Sequence, residues 1–206
     1  MSHVPRCLIG LAVLALAGCG GLLQPPAPPP ALFRLTPATD FSAGARTVPL
    51  QLAVDAPAAE AALDTTRIAL TRSPTMLDYF AASAWTDRLT TIVQALLIES
   101  FDNAHRFAAV GREAGALRAD VVLVTELRHF EALYSGAGSP HWQIEITAKL
   151  VKLPERALLV DRSFRGDEAA ARNDLPAIVE ASDLAWHGVA KDIADWAADT
   201  LSRTVH

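Results

Sequence analysis

From Trp142 to Leu150 every second residue is apolar: Trp142, Ile144, Ile146, Ala148 and Leu150 alternate with Gln143, Glu145, Thr147 and Lys149. Successive side chains of a strand point to opposite faces, so this stretch lies with one face buried and the other in water. A helix would scatter the same residues around its circumference. The chain is thereby committed to a sheet covered on one side. Residues 121–134 are long and β-rich, apolar on both faces at Val121, Val122, Leu123 and Val124, as in a central strand. Their second half alternates, with Leu127, His129, Glu131 and Leu133 on one side and Arg128, Phe130, Ala132 and Tyr134 on the other. Loop residues 135–140 join these two strands, and Pro154-Glu155-Arg156 turns the chain into a third strand over 157–164. The three predict an antiparallel meander.

Two amphipathic stretches supply the cover. Over residues 86–104, Leu89, Ile92, Val93, Leu96, Leu97 and Phe101 recur at helical spacing, with Arg88, Gln94 and Glu99 off the stripe. Thr86 is the expected N-cap, with Asp87 in the first turn. Residues 175–202 repeat the pattern with Ile178, Ala185, Trp186, Val189, Ile193 and Trp196. Asp174 is their N-cap, and Pro176 sits where a missing N–H costs nothing. A tryptophan stripe also suits a cofactor or lipid strip, but amphipathic packing explains it fully. Residues 50–54 alternate as a strand, 58–63 suggest a short helical turn, and 67–70 and 77–80 suggest two strands that pair. Residues 32–206 therefore read as a single α+β domain, a mainly antiparallel sheet covered on one face by two long helices, and the length fits one domain.

A membrane address precedes the domain. Arg6 gives a positive start and residues 8–16 an apolar run too short to span a bilayer, which takes about 20 residues. Leu16-Ala17-Gly18-Cys19 then reads as a lipobox: residues 1–18 form a signal peptide cut after Gly18, leaving Cys19 as an acylated first residue. An ordinary secretory signal would not place a thiol directly after Leu-Ala-Gly. Cleavage removes Arg6 and Cys7, leaving 17 basic and 23 acidic residues and a lone cysteine that carries lipid. No disulfide framework is then available, and the fold rests on its core. Gly20 and Gly21 lack the aspartate that retains lipoproteins at the inner membrane, so the expected location is the periplasmic face of the outer membrane. Residues 19–31 form a proline-rich tether whose Gln24-Pro25-Pro26-Ala27-Pro28-Pro29-Pro30 core favours an extended spacer over a ligand for a proline-binding module.

Motifs that carry chemistry are missing. There is no Gly-x-Ser-x-Gly elbow, phosphate-binding glycine loop, His-Glu-x-x-His or paired-cysteine metal motif. Gly136-x-Gly138 joins two strands instead of opening a helix. His105, His129, His141, His187 and His206 are scattered without ligand spacing, and Glu126 and Glu131 do not form a ready acid/base pair. The acidic balance argues against nucleic acid as a partner. The expectation is no catalytic residue, no metal and no cofactor.

The densest block of specific residues is Leu77-Asp78-Tyr79-Phe80 through Trp85-Thr86-Asp87-Arg88-Leu89, Val93-Gln94 and Glu99-Ser100-Phe101-Asp102-Asn103, then Arg106-Phe107-Ala108-Ala109-Val110-Gly111-Arg112 and Leu117-Arg118-Ala119-Asp120. With Cys19, Phe33-Arg34-Leu35 and Ala194-Asp195-Trp196, it resembles the ABC-type transport auxiliary lipoprotein family over essentially the whole mature chain. Two departures are mild: Phe33 replaces a usual tyrosine, and Ala104-His105 replaces a usual Ser-Gly before Arg106-Phe107. The resemblance implies a non-catalytic periplasmic component of an ABC transport system. Such a system has a mammalian-cell-entry (MCE) domain substrate-binding protein, a permease and an ATPase, and moves phospholipid or other hydrophobic molecules between membranes. It also implies binding to the MCE component and self-association into a homo-oligomeric ring. Tyr79, Trp85, Asp87, Arg88 and Arg112 are the candidate partner contacts, with capping, pairing and core packing as the alternative for each. Two other classes share the anchor and a small domain: an outer-membrane assembly lipoprotein, and a lipoprotein that itself carries lipid in a cavity between sheet and helices.

Overall fold

A computed structural model describes residues 28–41, 47–113, 118–136 and 138–204. The lipobox, Cys19 and most of the tether lie outside the described residues. The chain runs β1 (Ala31–Phe33), β2 (Val48–Val54), β3 (Ala58–Ala59), β4 (Ala69–Ser73), β5 (Met76–Tyr79), β6 (Ser83–Trp85), α1 (Leu89–Ala104), β7 (Phe107–Arg112), β8 (Val121–Leu133), β9 (His141–Lys152), β10 (Ala157–Ala169) and α2 (Leu175–Thr204). The domain is α+β, with both helices on one face of a sheet: α2 packs on β9, β10 and β2, and α1 packs on β7, β2 and α2.

The strand order is β10-β9-β8-β2-β7. β8, β9 and β10 form the expected antiparallel meander. β2, β3 and β4 pair with β8 in parallel and β4 and β5 form an antiparallel hairpin, while β7 is parallel to β2 because α1 carries the chain across the face between them, and such a crossover returns strands in the same direction. β2, β3 and β4 join one edge of β8 in succession, at residues 121–123, 126–127 and 132–133. The sheet is therefore mixed and curled, and β8 is the strand that β2, β3, β4 and β9 all pair with.

Alternation breaks once along β8. The register with β9 shifts between Leu127 and His129, leaving Arg128 as an extra residue. The bulge turns Phe130 and Ala132 into the core beside Leu127, so these residues share a face that simple alternation divides between two. Phe130 then meets Trp142 at 5.5 Å and 79°, and Trp85 of β6 packs edge-on against both, at 6.3 Å from Phe130 and 6.0 Å from Trp142. Each edge-to-face pair contributes about 0.5–1.5 kcal/mol beyond area burial. Because β6 pairs only with β1 in a separate parallel ribbon, this cluster fastens the ribbon to the sheet.

Local expectations meet three corrections. α1 starts at Leu89, not Thr86: Thr86 N–H donates to Phe33 O at 3.1 Å, holding it beside the β1–β6 ribbon, and Arg88 is the N-cap residue without a side-chain cap. Residues 58–63 begin as β3, and the helical turn is confined to residues 60–64, where Glu60 O accepts from Leu63 and Asp64 N–H. Residues 107–112 form a strand that the sequence did not announce, since β7 is half-buried with little alternation. Asp174 does cap α2, accepting from Ala177 N–H at 2.9 Å.

An N-terminal strap binds the helices together. Ala38 N–H donates to Ser100 Oγ at 3.0 Å and Ala38 O accepts from Asn103 at 3.0 Å, both on α1, while Thr36 is held on α2 by Asp183. Arg106, between α1 and β7, is 2.7 Å from Asp195 of α2. The contact has the distance of an ion pair but not the alignment of a hydrogen bond, since Asp195 Oδ1 and Arg106 Nε have no hydrogen-bond partner.

Two substitutions test this packing. A Cβ on Gly166 of β10 would lie 2.8 Å from Val189 Cγ2 and 3.0 Å from the Ala185 carbonyl oxygen of α2. Backbone yields little, so Gly166→Ala is expected to lower the urea-unfolding free energy by about 1–3 kcal/mol. His105 closes α1 with φ of 51°, in the left-handed region that favours glycine. His105→Gly is expected to raise stability by about 0.5–1 kcal/mol, seen as a melting temperature about 1–4 °C higher.

Candidate functional site

Between the points where β3 and β4 pair with β8, residues 128–131 have no strand in register on that edge. Tyr134 N–H reaches Thr71 O on β4, and residues two apart share an edge, so Phe130 N–H faces this gap. Glu131 fills it: one carboxylate oxygen accepts from Phe130 N–H at 2.6 Å and the other lies 2.8 Å from His129 Nδ1. With its side chain 6% exposed, Glu131 is a buried carboxyl group whose bond from Phe130 N–H substitutes for a missing strand.

Above the gap lies an open groove of about 1180 Å³. Its walls are β3 with Ala59, the turn after it with Leu63, the β4–β5 hairpin with Arg72, Met76 and Leu77, and β8 with Arg128, Glu131 and Leu133. No residue of either helix lines it. Met76 is 57% exposed and Leu77 39%. The chain has two tyrosines, and each lies under an arginine: Arg67 is 3.4 Å from the ring centre of Tyr79, and Arg72 is 4.9 Å from that of Tyr134. Phe80 completes the patch, 6.5 Å from Tyr134.

The five residues singled out as partner contacts fall in different settings. Tyr79 is half-buried, and its hydroxyl donates to Ala62 O at 3.0 Å. Trp85 is 2% exposed and lies in the aromatic cluster. Asp87 is exposed and accepts the Arg88 N–H at 2.6 Å. Arg88 pairs with Asp64, which also accepts from Thr90 Oγ1 at 2.6 Å. The Arg88 guanidinium, helped by Thr90, holds the Asp64 carboxyl below its usual range. Arg112 lies apart, at the end of β7, and donates to Gln94, which in turn donates to Val54 O at 3.1 Å. The fold thus gathers Tyr79, Trp85 and Arg88 around residues 62–66, where Thr66 O accepts the Trp85 N–H, and leaves Arg112 elsewhere.

Sequence reasoning passed over Arg67, Arg72, Met76 and the burial of Glu131 and Gln94. The signal for the hairpin was Met76-Leu77, two apolar residues straight after the Ser73-Pro74-Thr75 turn. Glu131 stood as a carboxylate inside an apolar strand, which calls for a partner wherever it is buried.

Among the described residues there is one hydroxyl–imidazole–carboxylate group. Thr36 Oγ1 donates to Asp183 Oδ2 at 2.7 Å and lies 2.8 Å from His187 Nε2, which is also 3.2 Å from Thr36 O. A carbonyl can only accept, so Nε2 is protonated and cannot serve Thr36 as a base. The group is a clasp for the N-terminal strap. His141 pairs with Asp167 at 2.8 Å, apart from His129. Among the described residues no three His, Cys, Asp or Glu side chains are grouped to hold a metal ion. Two other carboxyls sit below their usual range, Glu145 through its hydrogen bond from Arg165, and Asp174 through the Ala177 N–H and then Arg172.

Comparison with known proteins places this geometry. A protein of Bradyrhizobium diazoefficiens without an assigned function is 28% identical over 155 residues, which are 74% of this chain and 40% of that protein. The chain therefore spans well under half of that relative's length. The fold matches a crystal structure of a Xanthomonas campestris protein classed as DUF330, with a TM-score of 0.80, 24% identity and coverage of 85% of this chain and 98% of that one. A second crystal structure, of an uncharacterised protein, matches with a TM-score of 0.64 at 15% identity, covering 81% and 97%. The model of the family described as ABC-type transport auxiliary lipoprotein component matches residues 33–194, from β1 into the middle of α2, and the chain belongs to that family.

Proposed function

We propose that this lipoprotein is a non-catalytic adaptor of an MCE-type ABC transport system that moves phospholipid or other hydrophobic molecules between the inner and outer membranes. The observation that carries the reading is the family match across residues 33–194, which joins an ABC transport system to the lipobox ending in Cys19. Acylated Cys19 holds the chain at the periplasmic face of the outer membrane, since Gly20 and Gly21 offer no inner-membrane retention signal. Residues 19–30, if extended, let the domain stand up to about 37 Å from the lipid surface. The partners are an MCE-domain protein and, through it, the permease and ATPase.

The packing supports an adaptor over a carrier. A lipid carried between sheet and helices needs space there, and that layer is filled by Trp142, Trp186, Phe101 and the aliphatic residues around them. The groove opens on the hairpin side instead.

Recovery of the tethered protein from its native envelope tests the reading. An MCE-domain protein should co-purify with its permease and ATPase, and Cys19→Ser should release the chain from the outer-membrane fraction. Recovery of none of these transporter components would overturn it.

A further inference from the structure

We infer that the β4–β5 hairpin, with the groove beside it, docks a protein partner that presents apolar side chains flanked by carboxylates. On the reading proposed above, on which this inference rests, that partner is the MCE-domain component. Six arginines elsewhere are paired with carboxylates of this chain, at positions 88, 106, 128, 156, 165 and 172. Arg67 and Arg72 have no such pair among the described residues, and each guanidinium is held over a tyrosine ring. Stacking fixes the plane of the guanidinium and limits the freedom lost on binding, so its N–H fork is ready for a carboxylate.

Exposed apolar surface lies at the hairpin tip, level with Arg72, since Leu77 pairs with Thr71 and Met76 with Ser73. Five large hydrophobic side chains are exposed among the described residues, and Met76 and Leu77 are the only two adjacent in sequence. Leu77 and Tyr79 lie on one face of β5 by strand alternation, which puts the Arg67–Tyr79 stack beside the groove wall. Arginine, tyrosine and methionine around a groove are the side chains enriched at protein interfaces. A lipid headgroup fits less well: Glu131 is buried in the floor and Glu60 and Glu126 line the sides, so an anionic lipid would meet three carboxylates. A protein segment can set its own carboxylates over Arg67 and Arg72 and its apolar side chains over Met76 and Leu77.

Titration calorimetry of the Cys19→Ser chain against the purified MCE-domain component tests this. Wild-type surface should bind, and added salt should weaken binding, as exposed charge pairs require. Arg72→Glu, Arg67→Glu and Met76→Asp should each weaken it by about tenfold or more, with Arg72→Gln intermediate. Leu158→Asp, an equally apolar loss on exposed β10, should leave it unchanged, and melting curves check that each variant is folded. Equal binding by wild type and hairpin variants would overturn the docking surface while leaving the transporter reading in place. No binding by the wild type would remove both. A vesicle-flotation arm with phosphatidylglycerol separates the lipid alternative: variants that lose vesicle binding but keep the protein partner would mark the surface as a lipid site and overturn the proposal.

Discussion

Strand β8 is bonded along both edges, and the rest of the structure depends on how its two edges are shared. One edge belongs to β9 for almost its whole length, which sets the antiparallel meander under α2. The other is divided among β2, β3 and β4, three short strands that arrive parallel. One straight strand cannot serve all three and keep a continuous apolar face. The bulge at Arg128 resolves this by bending β8 and returning Phe130 and Ala132 to the core after Leu127. It also opens the gap that Glu131 closes. The same bend that completes the core creates the groove floor.

The residues by which the family is recognised in this chain mostly hold that arrangement in place. Arg106 and Asp195, from motif segments about ninety residues apart, pair across α1 and α2. Gln94 ties Arg112 to the end of β2, and Arg88 ties Asp64 to the start of α1. Trp85 closes the aromatic cluster on Phe130 and Trp142. These contacts put the motif's polar groups to work inside the domain. On the hairpin, by contrast, Arg72, Met76 and Leu77 are exposed.

How much of this could be read from the sequence followed from the range of the interactions. The meander, both helices and the Asp174 cap came from periodicities and capping rules that act within a few residues. The β4–β5 pairing came from two apolar runs around a Ser-Pro turn. The parallel edge of β8 was not legible, because nothing in residues 48–54 or 107–112 tells which neighbour they will choose. The start of α1 was misplaced because Thr86, a good cap by type, is taken by Phe33 O, more than fifty residues earlier. Gln94 stood off the apolar stripe of α1, and only Val54 and Arg112 make it interior, whereas Glu131 turns inward because no strand pairs with that edge of β8 over residues 128–131.

Native-state hydrogen exchange on the full tethered protein tests most directly whether β8 organises the domain and the hairpin stands apart as its yielding edge. Amides of β8 and β9 are predicted to exchange last, at the rate set by global unfolding, while β5 exchanges early by local opening. Early exchange along β8, or equal protection of β5 and β8, would contradict the account.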